Sequence, residues 1–326
     1  MHLIICLILF SAISAFMLVY HGPFTKLRNY IVSMAMSTNS NHIFATWFLS
    51  KEEISQILSK TQAAVKDSME NINDIETYNP APSVAALQSN INGGQGVTIE
   101  DLSGENFKGK LMIVRDPSRI VLGLAPELGK IGAPLSKIVS ANNAIGGINA
   151  GGFQDDNLVG TGSLPDGVVV QDGEIKYCQN NAKTYSVIGF TKNNVLLVSN
   201  GMTLDQIKNS DLRCAVSFGP ALIMNGQPLV EQGGSTLQPR SAIGQKKDGT
   251  ILILAIDGRE IDSRGVNFKT LQDVLLQYGA YNAANLDGGS STTMNYLGKT
   301  INKPCDITGE RNIATAYLII KTIENK

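Results

Sequence analysis

The chain has 326 residues, 43% of them hydrophobic and 17% charged, enough for one large domain with a substantial core and too apolar for disorder. With 27 basic and 28 acidic residues the net charge is -1, and no basic stripe interleaved with aromatics is present. Nucleic-acid binding, which needs a cationic surface, is excluded on that ground. The globular part holds Cys178, Cys214 and Cys305 without C-x-x-C spacing, so neither a zinc site nor a disulfide framework is signalled, although one bridge among the three stays open.

Residues 3–20 form an uncharged, apolar run that reaches the length needed to span a bilayer, about 17 residues. No small-x-small cleavage site follows it, so the expectation is an uncleaved anchor over residues 1–24. Lys26 and Arg28 follow the run, and the positive-inside rule would put the rest of the chain in the cytoplasm. Ser50 and Glu53 make an S-x-x-E capping box that opens a helix, with Ile54, Ile57 and Leu58 on one face. A helical stalk is expected over 25–78, with helix from 46 to 73. The stretch 79–96 is rich in Pro, Gly, Asn and Ser, as a linker is, so the main domain should span 97–326.

From residue 97 short apolar runs alternate with turns. Residues 111–114, Asp116-Pro117-Ser118 and 120–124 read as a hairpin, and further strands are expected at 167–171, 185–190, 195–198, 221–224, 251–256 and 316–320. Asp172-Gly173, Asn225-Gly226 and Asp248-Gly249 supply turn chemistry. Two helices are expected, 204–208 capped by Thr203, and 270–278 ended by Gly279. The fold class is therefore α+β: a mixed, largely antiparallel sheet domain with a few flanking helices.

Four clusters carry candidate chemistry. Gly146-Gly147-Ile148-Asn149-Ala150-Gly151-Gly152-Phe153 sets one amide between two Gly pairs, suiting either a ligand-hugging backbone or a tight inter-strand loop. Gln238-Pro239-Arg240-Ser241 puts an arginine fork before a strand, where it matches two phosphate oxygens, though a surface charge reads the same way. Asp257-Gly258-Arg259 ends an apolar strand, where polar functional groups and plain turns both occur. Asn285-Leu286-Asp287-Gly288-Gly289-Ser290-Ser291-Thr292 offers one carboxylate, several hydroxyls and backbone amides at Gly288, Gly289 and Ser290 that would make an anion-binding nest. Asp287 is the candidate acid, base or nucleophile.

These clusters, with Phe218-Gly219-Pro220-Ala221-Leu222, agree in order and spacing with the phosphodiester glycosidase family, which the chain resembles over residues 97–323. The anchor and Tyr20-His21-Gly22-Pro23-Phe24 resemble its bacterial membrane-bound members. The resemblance implies cleavage between a sugar's anomeric carbon and a phosphodiester oxygen, on a carbohydrate phosphodiester of the cell envelope or an exopolysaccharide. It also implies a single-pass membrane protein with an extracytoplasmic catalytic domain, against the charge rule. In that setting Asp287 is the essential carboxylate, with Asp257 or Glu310 as partner, and Arg240 and Arg259 hold the phosphodiester. Asn149, Gly151, Gly152, Gly288, Gly289, Ser290, Ser291 and Thr292 would line the substrate. No cofactor is required. The histidines, His2, His21 and His42, all lie near the N-terminus, which speaks against a histidine-based metal phosphodiesterase; an all-oxygen Ca2+ or Mg2+ site on Asp287 or Asp257 stays open. A non-catalytic glycan-binding module is the remaining alternative.

Overall fold

The computed structural model describes residues 14, 17–36, 43–61, 96–154, 161–179, 182–231, 236–306 and 309–321. It divides into two units, Met1–Gln62 with Gly234–Thr236, and Ala63–Gly233 with Leu237–Lys326. In the first, helices Thr25–Met36, Ile43–Thr46 and Lys51–Thr61 enclose a small core of Val32, Ala45, Leu49, Ile54 and Ile57, with Tyr20 stacked on Phe48 at 4.7 Å. The capping box forms as expected: Ser50 N donates to Glu53 Oε2 (2.9 Å) and Glu53 N to Ser50 Oγ (3.2 Å). The expected helix over 46–73 is interrupted, because a turn separates Thr46 from Lys51, and residues 62–73 lie outside the described ones, as do residues 79–95 of the expected linker and most of the run 3–20. Among the described residues no helix is long and apolar enough to cross a membrane.

The second unit is mostly β, and every strand pairing in it is antiparallel. A seven-stranded sheet runs in the order Val97–Gly104, Phe107–Val114, Ile251–Ile256, Arg240–Lys246, Ala280–Leu286, Ala221–Met224 and Gln227–Pro228. One five-stranded sheet holds Leu196–Met202, Tyr185–Thr191, Leu212–Val216, Val168–Gln171 and Glu174–Cys178; the other holds Lys299–Thr300, Met294–Tyr296, Gly146–Asn149, Thr315–Ile319 and Ile120–Leu124. The three sheets share one core, in which Met112 and Ile253 meet Ile148 and Tyr317 and also Ile188, Phe190 and Val216. The α+β reading holds.

One pairing differs from expectation. Phe107–Val114 and Ile120–Leu124 are not a hairpin: the first pairs with Val97–Gly104 and Ile251–Ile256, the second with Thr315–Ile319. The 310 turn Pro117–Arg119, whose Ser118 N–H is capped by Asp116, carries the chain from one sheet to another. Elsewhere local chemistry decides. Asp172-Gly173 and Asn225-Gly226 have positive φ at both residues, the geometry that tight hairpins need. Thr203 caps Leu204–Lys208 in a reciprocal box with Gln206, and Asn267 caps Phe268–Gln277, two residues earlier than expected.

Register places the site. Arg240 pairs with Ile256 and Ser241 with Leu286, so Arg240 begins its strand where its two neighbours end in Asp257 and Asp287. Just past the strand Gly146–Asn149, Ala150 O accepts the N–H of Asp287 at 2.9 Å.

Candidate active site

Asp287 follows Ala280–Leu286, a strand buried along its whole length, so the last apolar residue hands over to a carboxylate in a fixed frame. It is crowded by protein yet keeps some solvent-accessible surface, as does Arg240. Burial pushes the Asp287 carboxyl up to about 6, against the Ser291 hydroxyl, the Arg311 charge and the Gly288 N–H, which favour the ionised form; Asp166 pushes it further up. Arg240 is pushed down to about 10, first by burial, then by the neighbouring Arg259, while Asp287 pulls it back. Its guanidinium lies 4.2 Å from the centre of the Phe268 ring, and Nε donates to Val266 O at 3.3 Å. Arg259 Nη1 donates to Ser290 Oγ at 3.1 Å. One carboxylate of raised pKa therefore acts on Arg240, which is also in the field of Arg259, a set suited to an anionic substrate.

Several expected residues sit differently. Asn149 is 1% exposed and braces the site: Nδ2 donates to Asp287 O, and Oδ1 accepts from Ser241 Oγ (2.7 Å) and Thr293 N (3.1 Å). Gly151 and Gly152 are buried; a Cβ on Gly152 would lie 2.9 Å from Asp166 Oδ2 and from the Phe218 ring, so these glycines allow close packing. Two of the three amides expected to form a nest are engaged within the protein: Gly289 N donates to Pro239 O and Gly288 N to the Asp287 carboxylate, while Gly289–Ser291 forms a 310 turn. Thr292 is 1% exposed, which keeps its hydroxyl from a substrate.

The bonds recorded for the two expected partner carboxylates run to other groups, although burial pushes the Asp257 carboxyl up. Asp257 Oδ1 accepts from Lys303 N (2.9 Å) and Asn302 Nδ2 (3.2 Å), clipping that loop to the strand end. Glu310 accepts from Ser136 N (2.9 Å) and from the Thr300 hydroxyl. Besides Arg240, the charges that act on Asp287 include Arg311, one residue on from Glu310, and Asp166, whose N–H donates to Gly152 O. Sequence reasoning did not single out Asp166, which precedes the strand expected at 167–171. Among the described residues no three His, Cys, Asp or Glu side chains cluster as a metal would need. Cys178, Cys214 and Cys305 are free thiols.

Residues 142–320, more than half of the chain, match the family model described as phosphodiester glycosidase. The chain belongs to the phosphodiester glycosidase family. The family domain is 28% identical over 174 residues to the SPbeta prophage-derived uncharacterized protein YomE of Bacillus subtilis, which covers 49% of this chain and 25% of that protein. It is 33% identical over 72 residues to N-acetylglucosamine-1-phosphodiester alpha-N-acetylglucosaminidase of Bos taurus, covering 22% of this chain and 14% of that enzyme. The alignments thus span a quarter or less of these relatives' length. The zebrafish catalytic domain of the latter enzyme superposes with a TM-score of 0.59 at 19% identity, over 80% of this chain and 87% of that one. A putative exported protein of Burkholderia pseudomallei gives 0.52 at 18% identity, over 66% and 74%. At such identities the likeness is one of fold.

Proposed function

We propose that this phosphodiester glycosidase domain is a hydrolase that breaks the bond between a sugar's anomeric carbon and a phosphodiester oxygen. Water adds to the anomeric carbon, the C–O bond breaks, and the released phosphomonoester takes the proton. The observation that carries this reading is Asp287, pushed up to about 6 by burial and within electrostatic reach of Arg240, which Arg259 neighbours in turn. At neutral pH such a carboxylate is mostly ionised, so it can activate water or attack the anomeric carbon itself. The guanidiniums offset the charge that builds on the departing phosphate. Because an acidic phosphate leaves without strong protonation, a second carboxylate is less critical than in ordinary glycosides; Asp166 takes that role here in place of Asp257 and Glu310.

An N-acetylglucosamine-like sugar follows from the name of the bovine relative, and action on cell-envelope glycans or exopolysaccharide from the apolar run 3–20, read as a membrane anchor with the domain on the extracytoplasmic side. Protease treatment of intact spheroplasts tests the topology, since an extracytoplasmic domain is digested and a cytoplasmic one survives.

For the chemistry, the purified full chain is given sugar-1-phosphodiesters and free reducing sugar is measured. Release by the native chain, lost in Asp287→Ala, is expected. Equal turnover by both proteins would reject the role of Asp287, and no turnover of any such diester would return the domain to a glycan-binding module.

A further inference from the structure

Arg259 has a φ of 61°, a backbone conformation disfavoured for any residue but glycine, and one that persists only where the surroundings enforce it. Its side chain is exposed, yet its guanidinium is held on one side. Nε and Nη2 both donate to Gln238 Oε1, at 3.2 and 2.8 Å, and Nη1 donates to Ser290 Oγ at 3.1 Å, with Cys305 Sγ at 3.7 Å. All three partners are neutral, and among the described residues no carboxylate lies within ion-pair distance of Arg259.

A carboxylate would match the guanidinium fork better and bind it more strongly, while cancelling its charge. Gln238 does something different. One amide oxygen takes two N–H groups, which orients the fork and leaves the positive charge available to a ligand.

Gln238 is itself fixed. It is 2% exposed and bridged to Val266 by Gln238 N to Val266 O (3.2 Å) and Val266 N to Gln238 O (3.0 Å). Gly265, at φ 93°, passes so close that a Cβ there would lie 2.2 Å from Gln238 O. The same segment leads through Pro239 into Arg240. One rigid stretch therefore carries Arg240 directly and steers Arg259 through the Gln238 side chain.

The geometry points to Gln238 as a positioning residue that fixes Arg259 with its charge uncancelled, so that the neutrality of residue 238 sets the affinity of the site for the substrate's phosphate. The inference rests on the phosphodiester reading and adds a determinant of anion affinity to it.

The test uses the full chain, calorimetric titration with inorganic phosphate, and steady-state kinetics on a sugar-1-phosphodiester. Gln238→Glu is nearly isosteric and supplies a carboxylate to Arg259. It is expected to bind phosphate at least about tenfold more weakly and to raise KM by a similar factor, with kcat changed far less. Added salt should weaken phosphate binding to the native chain more than to this variant, because less net charge remains to be screened. Gln238→Met keeps the length and neutrality but loses the acceptor, so a smaller loss of phosphate affinity is expected, between native and Gln238→Glu. Phosphate binding by Gln238→Glu as tight as that of the native chain overturns the proposal, as does Gln238→Met losing as much as Gln238→Glu. Should Gln238→Glu not fold, native-like phosphate affinity in Gln238→Met overturns it and a loss supports it. Turnover by the native chain separately tests the phosphodiester reading: a chain that binds phosphate, loses that binding in Gln238→Glu and cleaves no diester would leave the positioning role standing and remove the catalytic one.

Discussion

Replacing Asp287 with Asn should stabilise the fold while abolishing activity. The folded-state carboxyl stands near 6 against an ordinary 3.8, a difference of about 2, because burial disfavours its charge more than Ser291, Arg311 and Gly288 favour it. At about 1.36 kcal/mol per unit, the native chain loses up to about 3 kcal/mol of stability by ionising this group. The sign follows from proton counting. Between pH 4 and 6 the folded state binds more protons than the unfolded state, so stability falls as pH rises through that window and stays low above it. Asn cannot ionise, but it keeps only one of the two acceptor oxygens. A gain of about 1–3 kcal/mol at pH 8, or roughly 2–10 °C in Tm for a domain of this size, is therefore expected, shrinking toward zero near pH 4. Urea unfolding of both proteins at pH 8, 6 and 4.5 measures it. Circular dichroism is the suitable probe, since the single tryptophan, Trp47, belongs to the N-terminal unit and not to the domain that holds Asp287. An Asn variant no more stable than native at pH 8, or a gain that does not shrink with acidification, would refute the electrostatic account. Activity should fall by about 10^2 to 10^4-fold, the usual contribution of such a group.

Other consequences follow from the same surroundings. Arg311→Ala removes a charge that favours ionised Asp287, so the pH–activity limb governed by this group should move upward from about 6; Asp166→Asn removes an opposing charge and should move it down. A pH profile of kcat/KM reads both shifts, and shifts of the reverse sign would contradict the assignment. Gly152→Ala puts a methyl group 2.9 Å from Asp166 Oδ2 and the Phe218 ring, so a loss of about 1–3 kcal/mol in denaturant titration and a fall in kcat are expected. Glu310→Gln, whose carboxylate is bonded to Ser136 and Thr300, should leave kcat within about twofold of native by initial-rate assay, since loss of one exposed polar contact is worth less than about 1 kcal/mol.

What the sequence determined was what neighbours along the chain decide. The capping boxes at Ser50–Glu53 and Thr203–Gln206 bring their partners within three residues, and the Asp-Gly and Asn-Gly turns carry their own left-handed backbone, so each is legible before any fold is known. Asp287 and Arg240 were legible too, as polar groups abutting strongly apolar strands. Which strands pair, and which polar groups then meet, was decided only in three dimensions. The apparent hairpin at 111–124 looks the same by alternation whether its strands pair with each other or, as they do, enter separate sheets. Asp166 drew no notice, whereas Asp257 and Glu310 looked like catalytic carboxylates. Pairing set the first against Gly152 and within the field of Asp287, and engaged the other two with Lys303, Asn302, Ser136 and Thr300. A side chain's chemistry is written in its residue type, whereas its acidity and its partners come from the burial and charges that distant segments bring to it, and those exist only once the sheets close around Asp287.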